Sequence, residues 1–417
     1  MATPTGARAR LLVSTSVNPS TAAPTSPIEL EPRRGWVVVW ACFTALAVIF
    51  GVSYSFAAFF EPFAHEFQAS RAQVSLVFGF SGLLYFVLGA FAGMLADRFG
   101  PLRVTSAGMV CIAAALLLGS AATSMTQVTL AWGIGLGIGL ALVYTPAIAC
   151  VQPWFTRRRG LAAGIASAGI GAGTLVVPLA AAAAIAQWQW RGAMVALAAG
   201  VAVVGLASTL QLRRAPAATR PAGGEVPGTP LGSALRSRRF LWLYLMCLLG
   251  APAMFVPFAH LSASARDLGV GDAQAVGLVG LIGIGSLAGR LAIGAVADRI
   301  GRGPTLVVVM ASLGASMGLW LLARDYASFA IFALWMGLSY GGSVSLMPAL
   351  CMDFFGARAV SSIIGTLYTG AALGNLVGPW ATGRLFDVTG SYAAAVGGIG
   401  LLALASALAA WQAVRQR

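Results

Sequence analysis

GLVGLIGIGSLAGRLAIGAVADRIGR, Gly277 to Arg302, is the stretch from which the rest of the chain can be read. Its first twenty residues, Gly277 to Val296, contain one charge, Arg290. At about 1.5 Å of rise per residue, a helix of that length crosses a bilayer. An arginine near mid-membrane costs roughly 2.5 to 3.5 kcal/mol on insertion scales, so it normally faces protein or a water-filled cavity. Two roles follow. Arg290 either snorkels from the end of its helix to the headgroups, or it receives an anion.

The whole composition agrees with a membrane setting. The chain is 59% hydrophobic and 9% charged over 417 residues, with a mean hydropathy of +0.85. A soluble globular protein of this length cannot hide so much apolar surface, which leaves a polytopic membrane protein. The apolar runs last about twenty residues without strand-type alternation, which selects helices over a barrel. The net charge of +14 would fit nucleic acid, but the arginines stand in short loops, where they set orientation; the expected partner is the bilayer, with no nucleic acid.

Hydropathy predicts twelve spans, near 36–60, 72–95, 104–122, 127–153, 159–184, 191–211, 240–264, 274–297, 304–323, 327–351, 359–383 and 392–413. The predicted fold class is an all-α polytopic protein with twelve transmembrane helices in two pseudo-symmetric six-helix bundles. A disordered cytoplasmic tail is expected at 1–33, one bundle at 34–212, a Pro- and Arg-rich cytoplasmic linker at 213–238 and the second bundle at 239–417. Twenty of the 26 arginines fall in alternate loops and tails. Five others, Arg71, Arg191, Arg266, Arg324 and Arg384, fall in the opposite set. That bias places both termini in the cytoplasm of a multi-pass protein of the inner cell membrane.

The halves repeat. GMLADRFGPLR, Gly93 to Arg103, follows the second span, and GAVADRIGR, Gly294 to Arg302, follows the eighth. Asp97 and Asp298 are 201 residues apart, as are Pro178 and Pro379. Read as loops, these elements supply a glycine for close helix approach (Gly93, Gly294), an acidic acceptor (Asp97, Asp298), an arginine (Arg98, Arg299) and a closing glycine that turns the chain. Parallel repeats of this kind belong to carriers whose two bundles rock about a central site.

These features resemble the major facilitator superfamily over residues 35–412. The finer resemblance is to its monocarboxylate transporter family, including bacterial lactate and oxalate carriers. Three stretches carry it: GVSYSFAAFFEPF (Gly51 to Phe63), YTPAIACVQPWFTRRRGLAAGIASAGIGAGTLVVP (Tyr144 to Pro178), and the arginine of span eight with the element after it. The resemblance implies substrate contact for Tyr144 in span four, for His260 in span seven and for an aromatic near Tyr340 in span ten. It also implies that an acidic residue at about Asp267 is linked to proton coupling. Eukaryotic members have a lysine at about Tyr54, so a lysine-based coupling scheme is in doubt for this chain.

From the residues themselves, Tyr54 belongs either to the cavity or to the aromatic belt. His260 is the only histidine in a span, and its unperturbed pKa near ~6.5 suits a proton-linked donor. Pro252 and Pro257 are expected to break span seven beside it, and Pro146 to open span four beside Tyr144. Asp267 lies at the outer boundary, as coupling residue or solvated loop. Tyr368 and Asn375 in span eleven either line the cavity or bond between helices. Gly133, Gly135, Gly137 and Gly139 lack the strand and acidic residue of a nucleotide loop and read as helix packing. None of the twelve acidic residues lies deep in a span, which argues against a cation carrier. The five cysteines have no metal or redox spacing, no catalytic constellation is visible, and neither enzyme activity nor a cofactor is expected.

The expected activity is therefore transport of a small organic monocarboxylate by alternating access, with a co-transported proton through His260 or Asp267. Arg290 is the expected anion receptor, with Tyr144, His260, Tyr340, Tyr54, Tyr368 and Asn375 around it, in a protein that works as a monomer. An anion exchanger of the oxalate or formate type, a drug or metabolite exporter, and a non-transporting receptor remain as alternatives.

Overall fold

A computed structural model describes residues 33–155, 159–213, 228–356 and 358–416. The tail expected at 1–33, apart from Arg33, lies outside the described residues, as do Arg157, Arg158 and linker residues 214–227.

Among the described residues twelve helices cross the molecule. They are α1 (Arg33–Glu66), α2 (Arg71–Phe99), α3 (Pro101–Ser120), α4 (Met125–Val151), and α5 (161–188) and α6 (190–209), the two arms of the run Leu161–Thr209. The second half holds α7 (Arg238–Asp267), α8 (Asp272–Ile300), α9 (Arg302–Leu322), α10 (Tyr326–Phe355), α11 (Val360–Thr389) and α12 (Ala393–Arg415). Gln189 divides α5 from α6, reversing the chain at φ 58°. Helices alternate in direction, so α1 starts and α12 finishes at one end, the terminal end; the other is the far end.

The repeat is visible in the packing. In the first half α1 lies on α5, α2 on α4 and α3 on α6; in the second, α7 lies on α11, α8 on α10 and α9 on α12. Between the halves, α2 packs on α11 and α5 on α8, which are equivalent pairs under the same operation. Lipid is as apolar as a leucine side chain, so helix association depends on close approach. Glycines supply it. A Cβ on Gly137 would stand 2.8 Å from the Ser81 carbonyl of α2, and one on Gly139 2.9 Å from the Gly108 carbonyl of α3. The glycine series of α4 thus faces two helices in alternation. At the α5–α8 crossing, a Cβ on Gly171 or Gly283 would meet the other's carbonyl at 2.9 and 2.8 Å.

Three expectations are corrected. The repeated G-x-x-x-D-R-x-G elements are not loops. They are the last turns of α2 and α8, and the chain turns on one residue, Gly100 (φ 92°) or Gly301 (φ 94°). The equal angles, 201 positions apart, show the repeat in the backbone itself. The glycines inside the elements differ: a Cβ on Gly93 would stand 3.4 Å from Thr145, whereas one on Gly294 would meet nothing within 4 Å among the described residues, so close approach does not explain the second copy. Finally, α7 runs unbroken through Pro252 and Pro257, and α4 through Pro146. In α7 the Pro252 ring is seated against Gly374 and Gly378 of α11, at 3.2 and 3.1 Å from where their Cβ atoms would be. Neighbouring helices stabilise proline inside a membrane helix in this way.

Candidate functional site

Between the halves lies a cavity of about 90 Å³. Arg290 enters it from α8, Tyr54 from α1, Tyr144 from α4, Tyr340 from α10, and Tyr368 and Asn375 from α11. Six of the seven expected substrate residues therefore share one wall-lined space. Nε and Nη2 of Arg290 are buried and have no hydrogen-bond partner among the described residues. Those two nitrogens form one edge of the planar guanidinium, the edge that takes a carboxylate side-on through two parallel N–H donors. Among the described residues no aspartate or glutamate lines the cavity. A buried donor left unpaired costs about 1–3 kcal/mol, and more when charged, so the arrangement favours an arriving acceptor.

The roof is aromatic. The hydroxyls of Tyr54 and Tyr340 stand 3.2 Å apart, one from each half. Tyr54 stacks on Phe258 with ring centres 3.9 Å apart and planes at 11°. Tyr54 is thus a cavity residue, buried and away from any aromatic belt. Asn375 donates to the Gly79 carbonyl at 3.4 Å, tying α11 to α2 beside the cavity.

Tyr85 was not singled out by the sequence reading, and it lines the same cavity. Its ring meets Tyr144 edge-on at 5.3 Å. The signal was present: Phe78, Ser81, Gly82, Tyr85 and Phe86 recur at helical spacing on one face of α2, and all five line the cavity.

His260 lies elsewhere. It stands five residues beyond the cavity residue Phe255, hence about 140° round the helix and a full turn nearer the far end. Its Nε2–H is shared between the Pro379 carbonyl and the Ser75 hydroxyl oxygen, each at 2.9 Å. A carbonyl can only accept, so Nε2 carries the proton; Nδ1 then accepts from the Tyr392 hydroxyl at 3.1 Å. Tyr392 in turn accepts from Arg71 Nη1.

Arg71 is the hub of this far-end network. Its two terminal nitrogens donate to the two oxygens of Asp267 at 2.8 and 2.7 Å. Its guanidinium also lies 3.9 Å over the Phe386 ring. The Asp387 carboxylate accepts from the backbone N–H groups of Arg71 and Ala72 at 3.0 and 3.1 Å, capping α2. Arg71, Ala72 and Ser75 belong to the first half, and Asp267, His260, Pro379, Asp387 and Tyr392 to the second. The halves are bonded together at the far end by one connected set of polar groups. Asp267 is not a free loop residue, and it does not line the cavity that Arg290 enters.

At the terminal end, Asp97, Arg98 and Arg299 stand exposed on the last turns of α2 and α8, with Arg98 5.2 Å over the Phe99 ring. The Asp298 side chain lies outside the described residues. Among the described residues no cluster of His, Cys, Asp or Glu could hold a metal.

The Major Facilitator Superfamily profile matches residues 41–379 and again 253–416. Monocarboxylate transporter 13 of Bos taurus is 32% identical over 375 residues, covering 88% of this chain and 87% of that protein. Monocarboxylate transporter 3 of Rattus norvegicus is 30% identical, covering 86% and 75%. Among solved structures, a bacterial homolog of the human lysosomal transporter Spinster, inward-facing and unoccupied, superposes with a TM-score of 0.68 at 17% identity, covering 92% of this chain and 96% of its own. That likeness establishes the fold, and the sequence relatives establish more. The chain belongs to the major facilitator superfamily and, within it, to the monocarboxylate transporter family.

Proposed function

We propose that the protein carries a small organic monocarboxylate across the inner membrane by alternating access, with both termini in the cytoplasm. The observation that carries this reading is the unpartnered Nε–Nη2 edge of Arg290, buried in a cavity with no carboxylate among the described residues. The cargo carboxylate docks on that edge, with Tyr144, Tyr368 and Asn375 in the wall of the same cavity. Charge neutralisation on docking favours the closed, crossing form. The Arg71–Asp267 pair acts as the outer gate, holding the far end shut while the cargo exchanges with the cytoplasm.

Transport of a monoanion with one proton is electroneutral. The candidate carriers, His260 and Asp267, both belong to the far-end network, so proton uptake acts on the gate rather than on Arg290. Uptake of labelled lactate, pyruvate, formate, oxalate and benzoate into proteoliposomes tests the reading. Monocarboxylates are expected to accumulate when the outside is acidified, while their neutral amides do not. Equal uptake of amides would overturn the anion reading. Uptake driven by a trapped internal anion, and indifferent to the pH gradient, would replace proton coupling by exchange.

A further inference from the structure

The wall of the cavity says more about the cargo than its charge. Nine of its lining residues are aromatic. Phe50, Tyr85 and Tyr144 pack edge to face, with centres 5.8, 5.6 and 5.3 Å apart. Phe86 meets Phe255 at 5.7 Å and Tyr368 at 5.6 Å, also edge-on. Four methionines, Met246, Met254, Met310 and Met347, fill the wall between the rings; thioethers are adaptable packing partners for apolar and aromatic bodies.

Four of the eight hydroxyl groups of the wall are committed. Ser81 donates to the Phe78 carbonyl at 2.8 Å and Ser343 to the Tyr340 carbonyl at 2.8 Å, each within its own helix. Tyr54 and Tyr340 bond each other. A 2-hydroxyl on the cargo would need a partner among the other four, on Ser53, Tyr85, Tyr144 and Tyr368, or remain unpaired at a cost in affinity. An apolar body loses nothing of the kind and leaves water for an apolar wall.

Size narrows the class. One water needs about 10–15 Å³ of such space, so a cavity of about 90 Å³ holds roughly six to nine water-sized groups. Benzoate and short branched-chain acids fill that range, whereas formate and acetate leave it largely empty. We propose that the preferred cargo is an apolar monocarboxylate of single-ring or branched-chain size. This rests on the monocarboxylate reading above and specifies it.

The test is a competition series against labelled benzoate uptake in proteoliposomes: formate, acetate, propionate, butyrate, pentanoate, lactate, benzoate and benzamide. Inhibition should strengthen about fourfold per added methylene until the cavity is full, and unlabelled benzoate should outcompete lactate at least tenfold. Phe255→Ala should weaken competition by benzoate more than competition by formate, and an unchanged thermal unfolding transition shows that the variant is folded. A flat series, or lactate as the strongest competitor, overturns the apolar-cargo proposal and leaves the monocarboxylate reading standing. Benzamide competing as well as benzoate overturns both.

Discussion

Replacing Arg290 by glutamine should abolish measurable monocarboxylate uptake while leaving the protein folded and at least as resistant to heat. The guanidinium edge is desolvated and has no partner among the described residues, so it contributes no bond to the fold. Removing one partner of a buried, hydrogen-bonded charge pair costs about 2–5 kcal/mol. At about 1.4 kcal/mol per tenfold, cargo affinity should fall at least 30-fold and up to several thousandfold. Removing the unpaired charge should hold or raise the melting temperature of the empty protein, since its desolvation cost disappears. Arg290→Lys should fall between wild type and glutamine, because an ammonium keeps the charge but not the two-pronged edge. Uptake assays paired with thermal unfolding check both halves of the expectation. A glutamine variant that transports normally would remove Arg290 from the mechanism.

The second large effect is expected at the far end. Asp267→Asn should open the cavity to the far face. The native Cys247 lines the cavity, so it reports access once the other four cysteines are replaced. The Arg71–Asp267 pair is bidentate, with side chains 16% and 34% exposed, which places it between a surface and a buried ion pair. We expect the loss to be worth about 1–3 kcal/mol. That shifts the balance between far-end-closed and far-end-open forms about 5- to 150-fold. Labelling of Cys247 by a membrane-impermeant maleimide from the far face should accelerate by that factor. Tyr392 and Phe386 still hold Arg71 in the variant, so the smaller figure is the firmer bound. Unchanged labelling would show that some other contact keeps the halves together there.

Much of the architecture was legible in the chain. The lone arginine of Gly277–Val296, the arginine bias of alternate loops and the elements 201 residues apart lead to twelve helices in two related halves, because bilayer thickness and backbone hydrogen bonding leave few alternatives. Arg290, Tyr144, Tyr340, Tyr54, Tyr368 and Asn375 meet in one cavity, as an apolar helix must point its polar residues at something other than lipid. The far-end network was not legible. Arg71 and Asp267 are 196 residues apart, each at a helix end where a charge needs no partner, so neither calls attention to the other. His260 was assigned to the cavity on the family resemblance, yet the helical angle between positions 255 and 260 turns it toward Ser75, Pro379 and Tyr392. The expected breaks at Pro146, Pro252 and Pro257 failed for a related reason. Proline's cost in an isolated helix is offset by the helices around it, as by Gly374 and Gly378 beside Pro252, and that neighbourhood is not written in the local sequence.

The most direct test of the central claim is equilibrium binding to the purified protein in lipid nanodiscs, comparing benzoate with benzamide and lactate with lactamide. Each pair has nearly the same shape and differs in the charge that meets Arg290. The account predicts at least a 30-fold preference for each carboxylate over its amide, lost in Arg290→Gln. Equal binding within each pair, or a preference that survives in the glutamine variant, would contradict it.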